Sequence, residues 1–264
     1  MRRHVRYSIL ICMTIMIGLP IYALICNSFG TGFTYGQLIP ESWSLDTLRE
    51  VLDSPRFMDA FRNSIRLSLV VTVFTVILGF GVSKALGTVD FRGRRVMEIV
   101  LIMPAMMPGI ALIFGLRDVM IWFDIEYTFE SLILAELTFV LPYFIMLMMQ
   151  VFRNYNLNYE YQAETLGVGW FNRLIHVTIP LVRNGLITAT MYSFIVSWSM
   201  YLLTVYLADA SFPTLPRVLF GLMSGAEGYD VAGMVAFFFI IPALIMFIVS
   251  TILMSRSDMS GNNV

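Results

Sequence analysis

One carboxylate, Glu136, falls inside an apolar run, Leu134-Ala135-Glu136-Leu137-Thr138, where an unpaired charge is costly and so points to a partner or a pathway. In another apolar run, Ser193, Ser197, Tyr201 and Thr204 recur at helical spacing beside Trp198. That stripe of hydroxyls could line a route for a polar solute or bond a neighbouring helix. A third polar feature, Glu160 to Pro180, is a partly charged segment between two apolar runs. Elsewhere reactive chemistry is scarce. His4 and His176 form no His-x-x-x-His pair, there is no Gly-x-Ser-x-Gly elbow, and Met103, Met106 and Met107 read as flexible packing. Cys12 and Cys26 share the first apolar run and read as small buried apolar residues rather than a disulfide or metal pair. The single lysine, Lys84, has no Gly-x-x-x-x-Gly-Lys-Ser/Thr around it, so the phosphate-cradling loop of an ATPase is missing. The expectation is a chain that is not an enzyme and binds no catalytic, cofactor or metal group.

The elements that must position these residues are membrane helices. The chain is 58% hydrophobic and 13% charged, with a mean hydropathy of +0.78. A soluble domain of this length would lack the polar surface to cover such a core. A bilayer-crossing helix needs roughly 20 apolar residues. Six runs qualify, at 8–26, 64–86, 97–116, 131–152, 185–208 and 232–254. Helices follow because each segment must satisfy its own backbone polar groups. The whole of 1–264 therefore reads as one transmembrane domain, with an uncleaved first span rather than a signal peptide. Pro104, Pro108-Gly109 and Pro142 are expected to kink the third and fourth spans, or to free backbone carbonyls locally towards a path.

Orientation follows the arginines. With the N-terminus in the cytoplasm, that side holds Arg2, Arg3, Arg6, Lys84, Arg92, Arg94, Arg95, Arg153, Arg173, Arg183 and Arg256. The other side holds Arg49, Arg56, Arg62, Arg66, Arg117 and Arg217 with most of the acids. Both termini and the loop before the fifth span come out cytoplasmic. The long outer loop from Asn27 to Asn63 contains Ser44-Leu45-Asp46-Thr47-Leu48-Arg49-Glu50-Val51-Leu52, which predicts a short surface helix opened by Ser44. Net charge is -1, giving no footprint for nucleic acid.

The loop at 155–180 reads as two short helices with a break. Asn158 to Leu166 suits a helix, Gly167-Val168-Gly169 stops it, and Trp170 to Val177 can form a second with Trp170, Phe171, Leu174 and Val177 on one stripe. Pro180 is expected to end it or kink the entry into the fifth span. Taken alone, the loop could be an amphipathic interfacial hairpin. Its spacing resembles the EAA loop of membrane permeases from binding-protein-dependent ABC importers: Ala163, Gly167, Val177, Ile179 and Pro180 fit in register, while Tyr161 and Gln162 replace the family's Glu-Ala. Thr214-Leu215-Pro216 and the segment Ser54 to Ser64 also resemble that family, especially the polyamine, iron, thiamine and aminophosphonate branch.

The resemblance implies an all-α, type I permease with six transmembrane helices in a bacterial inner membrane and a cytoplasmic coupling helix between helices 4 and 5. It implies an ATPase dimer that hydrolyses ATP with magnesium, a second permease chain of different sequence, and a periplasmic or extracellular solute-binding protein. Glu160, Ala163, Glu164, Gly167, Val168, Gly169, Trp170, Phe171, Asn172 and Pro180 would serve ATPase coupling, with Glu160 and Glu164 flanking the position of the replaced glutamate. Glu136, Ser193, Ser197, Trp198, Tyr201 and Thr204 would line the translocation path. The solute, such as a polyamine, phosphonate, thiamine, iron chelate or sugar, stays open. A self-sufficient secondary transporter or channel is the rival reading, and would call for ionisable residues within the spans; only Glu136 offers one.

Overall fold

A computed structural model describes residues 2–31, 39–209, 212–224 and 229–261. The side chains of Arg2, Arg3, Arg6 and Arg256, which belong to the orientation argument, and of His4 lie outside the described residues. Among the described residues the chain is all-α apart from a ribbon of two-residue antiparallel strands that pairs Gly30 with Trp43 and Thr31 with Ser42. Among them five helical segments are long and apolar enough to cross a membrane: Tyr7–Phe29, Pro55–Thr88, Phe129–Arg153, Trp170–Trp198 and Asp230–Ser255. A sixth crossing exists if Arg94–Met106 and Gly109–Trp122, bent by 104°, count as one.

The third span bends where Pro108-Gly109 was expected to kink it, and the fifth departs from expectation. In place of one span over 97–116 stand α4 (Arg94–Met106) and α5 (Gly109–Trp122). The cause is Pro108, which disfavours helical backbone in the preceding residue; Met107 is extended at φ -78 and ψ 148. By contrast, Pro142 is carried inside the continuous α6 (Phe129–Arg153). The fifth span starts earlier than 185 and breaks before 208: α9 runs Ile179–Trp198 and α10 runs Leu202–Leu207. At the break the Ser199 hydroxyl bonds the Val196 carbonyl at 3.0 Å, a side-chain bond that competes with the helical ladder.

Two compact units divide the chain: 1–63 with 213–242, and 64–212 with 243–264. In the first, the Tyr7–Phe29 stretch of α1 (Arg2–Phe29) is apolar on every face and mostly exposed, as suits lipid rather than water. Its Ser28 hydroxyl donates to the Gly233 carbonyl at 2.9 Å, and Phe29 meets Phe237 edge-on at 5.3 Å. Cys26 is buried, but Cys12 is exposed on the apolar surface, and both are free thiols. The predicted surface helix is α2 (Asp46–Asp53), where the Ser44 hydroxyl accepts the Asp46 N–H at 3.0 Å.

In the second unit, α6 is the central post, with α3 (Pro55–Thr88) and α9 packed on it. Gly87 lies against Phe152, and a Cβ there would also meet the Phe152 carbonyl carbon at 3.1 Å and the Met149 oxygen at 3.2 Å. Phe144, Met148 and Phe152 of α6 pack with Val182 and Ala189 of α9 in one buried cluster. A second cluster joins Leu67 and Val71 of α3, Leu132, Ala135 and Val140 of α6, and Leu203 and Leu207 of α10. Burial of this kind stabilises by about 25 cal/mol per Å² removed from water, but in lipid the drive is close packing instead.

Candidate functional site

The polar segment after α6 folds into α7 (Asn158–Thr165), a turn, α8 (Trp170–Arg173) and a π-helical turn (Leu174–Thr178) that runs directly into α9. The spacing from Ala163 to Gly167 has a local cause. Gly167 sits at φ +79, its N–H bonds the Glu164 carbonyl at 2.9 Å, and the Val168 N–H bonds the Ala163 carbonyl at 3.0 Å. This pair of bonds is the Schellman helix stop, which needs a left-handed residue that glycine adopts without strain. Gly169, extended at φ -61 and ψ 157, then starts α8. Glu164 bridges the turn to Arg173 at 2.7 Å. Pro180 neither ends nor kinks the path; it occupies the first turn of α9. A proline lacks the N–H and crowds the carbonyl four residues back. The preceding turn is already widened, the Ile179 N–H reaching the Leu174 carbonyl, so the ring is accommodated.

The turn presents an apolar tip. Leu166 is 83% exposed, Trp170 68% and Phe171 62%, with Gly167, Gly169 and Asn172 also exposed and Val168 half-buried. Ala163 is buried beneath. Of the two glutamates flanking Tyr161, Glu164 is exposed, whereas Glu160 is only 7% exposed and turned inward.

Glu160 is the most heavily bonded side chain of the segment. Lys84 Nζ, from the end of α3, donates to its Oε1 at 2.7 Å and Oε2 at 2.8 Å. Tyr155 in the connector after α6 donates to Oε1 at 2.8 Å, and Thr178 at the end of the π turn donates at 2.7 Å. Burial alone would raise the Glu160 carboxyl, but bonds from Lys84, Thr178 and Tyr155 outweigh it and hold the group below the usual carboxylate range. Burial, and then the bond to Glu160, push Tyr155 up to about 12, so the phenol keeps its proton and keeps donating. Sequence reasoning missed Lys84, Tyr155 and Thr178. The available signals were a lone lysine closing a span and a threonine within Val-Thr-Ile-Pro, neither of which names its partner 76 or 18 residues away.

The stripe expected along the fifth span is divided by the break after Trp198. Ser193, Ser197, Trp198 and Thr204 are buried within the chain and Tyr201 is half-buried at the break. Ser193 and Thr204 bond backbone carbonyls, of Ala189 and Tyr201 respectively. Ser197 instead donates to Glu136 Oε2, joining α9 to α6. Glu136 is 1% exposed, and its Oε1, with Thr75 Oγ1, has no hydrogen-bond partner among the described residues. Among those residues no group of three His, Cys, Asp or Glu side chains gathers as metal ligands.

Residues 71–259, which contain the glutamate-centred network, the turn and the buried stripe, match the family model of the binding-protein-dependent transport system inner membrane component. The chain belongs to that family. This ABC importer permease is similar to the inner membrane ABC transporter permease protein YcjP of Escherichia coli (strain K12), 30% identical over 190 residues, 71% of this chain and 68% of the relative. It is 28% identical over 195 residues to the trehalose transport system permease protein SugB of Mycobacterium tuberculosis, covering 74% and 71% of the two chains. The spermidine/putrescine transport system permease protein PotC of Escherichia coli (strain K12) matches over more of the chain, 247 residues at 22% identity, 92% and 91% of the two. The permease fold also superposes on a bacterial ABC transporter involved in import of the acidic polysaccharide alginate, with a TM-score of 0.73 and 21% identity over 94% of this chain and 96% of that one. The permease is therefore a multi-pass inner-membrane protein of a non-catalytic family.

Proposed function

We propose that this permease forms half of a solute path and is driven by a separate ATPase dimer docked on the tip of α7 and α8. One observation carries the reading: an exposed apolar tip, Leu166, Trp170 and Phe171, stands on a turn of defined geometry in a chain of the ABC importer permease family. An aromatic anchor with polar neighbours, Glu164 and Asn172, is the kind of patch that fills a groove on a partner. The ATPase would bind ATP and magnesium, since this chain carries no phosphate-cradling loop. Both termini and the tip would face the cytoplasm by the arginine distribution. A second, different permease chain would complete the path, and a binding protein would deliver the solute from outside. Relatives named for trehalose and for spermidine/putrescine favour a small polar solute of sugar or polyamine type.

For the path, Glu136, Ser193, Ser197, Trp198, Tyr201 and Thr204 would be opened by movement at the break between α9 and α10, since most are sealed in this state. Irregular backbone at membrane depth is expected where a cavity opens. The test is affinity purification of the tagged permease from its native membrane. Recovery of an ATPase and a second six-span chain, with the ATPase lost on Gly167→Asp, is the expected result. Solute accumulation by the permease alone in liposomes, without nucleotide, would overturn the reading in favour of a secondary transporter. Mass spectrometry of the solute held by the cognate binding protein names the cargo class.

A further inference from the structure

We propose that Glu160 is the fulcrum of this permease: a positioning residue that locks the α7–α8 element to α3 and α9, and not a contact for the ATPase. The inference rests on the coupling role proposed above and assigns how the push would leave the docking tip. One carboxylate joins four places. It belongs to α7; Lys84 brings the end of α3, Tyr155 the connector after α6, and Thr178 the turn that becomes α9. Those bonds are 2.7 to 2.8 Å long, and three of them converge on Oε1. With its side chain only 7% exposed, Glu160 itself offers little surface to a partner subunit.

Stability alone does not call for such a device. An ion pair removed from water contributes little net stability over well-packed apolar groups, but it fixes distance and direction in a way apolar packing does not. The other charge pair of the element, Glu164 with Arg173, links only α7 to α8, and its carboxylate is 61% exposed. The link between Glu98 and Arg153 at 3.0 Å joins α4 to α6 and does not touch α7 or α8. Among the described residues, Glu160 thus forms the charged tie from the element to the membrane helices. With the tie intact, α7 and α3 move as one body when the ATPase closes; with it cut, α7 turns without carrying α3.

The experiment uses the assembled transporter with Mg-ADP and vanadate as the probe. Spin labels are placed on Tyr159→Cys of α7 and Ile77→Cys of α3, both exposed positions, after Cys12→Ser and Cys26→Ala. In the otherwise unaltered protein the distance distribution between the labels stays narrow and unshifted on vanadate trapping. In Glu160→Gln and in Lys84→Met, which removes only the α3 partner, it broadens at least twofold and shifts on trapping, while the ATPase still co-purifies and hydrolyses ATP. If Glu160→Gln does not accumulate, Lys84→Met carries the test. A distribution in the variants indistinguishable from the parent in both states overturns the proposal, as does a parent distance that itself shifts on trapping. Loss of the ATPase from Glu160→Gln would make the residue a contact and would also overturn it. Failure of the parent permease to retain any ATPase would instead sink the coupling reading beneath it.

Discussion

Replacing Gly167 by alanine isolates the helix stop that shapes the docking tip. The backbone there is at φ +79, and an added Cβ meets nothing within 4 Å, so the cost is conformational and not steric. A left-handed L-residue costs about 1–2 kcal/mol. Alanine also stiffens the opened segment, which offsets about 0.4–1 kcal/mol. The net is about 1 kcal/mol, or roughly a fivefold increase in the opened population of the turn. The assay is hydrogen exchange of the Gly167 and Val168 amides, which donate to Glu164 and Ala163. Their exchange should quicken about fivefold in Gly167→Ala, and ATPase affinity should fall by no more than the same factor. Gly169→Ala is the control: φ -61 suits any residue and its Cβ also meets open space, so protection should hold or rise. Equal exchange in the two variants, or faster exchange in Gly169→Ala, would refute the assignment of the turn.

Gly87→Ala should lower the midpoint of thermal unfolding in detergent, with a cost of about 1–3 kcal/mol, because the new methyl meets Phe152 and Met149 backbone atoms that cannot swing away; Gly81→Ala, with open space around its Cβ, should not. Ser197→Ala removes the bond to Oε2 of buried Glu136 and should cost about 1–3 kcal/mol in the same assay, whereas Ser193→Ala loses only a bond within its own helix and should cost less. The Glu160 network has a definite pH sign. Its folded value lies below the ordinary one, so its contribution is complete above about pH 4.3 and is lost as pH falls through the lower folded value. Protection of α7 amides, corrected for intrinsic exchange, should show an acid step below that range, and Glu160→Gln should abolish the step.

Each helix long and apolar enough to cross a membrane among the described residues overlaps a run picked out by hydropathy, because a run such as 232–254 has no soluble alternative. Boundaries were harder where polar groups compete with the helix. Pro108 was visible as a kink, but its 104° size depends on packing along α4 and α5. Ser199 looked like one more polar residue in an apolar run, and its capture of the Val196 carbonyl cannot be read from periodicity. Within the candidate site, the Ala163-to-Gly167 interval was legible because a helix stop is local: all its bonds fall within five residues. The Glu160 network was not. Lys84 and Glu160 meet only after two further spans have folded between them, and linear spacing holds no trace of that distance.

The same lysine makes the permease its own reporter. Lys84 is the only lysine in the chain, and its amine is spoken for while Glu160 holds it at 2.7 Å. Amine-acylating reagents therefore have one side-chain target, and its modification rate measures how often that ammonium lets go. Followed by mass through a turnover cycle, one chemical tag would time the release of α7 from α3 without any engineered label.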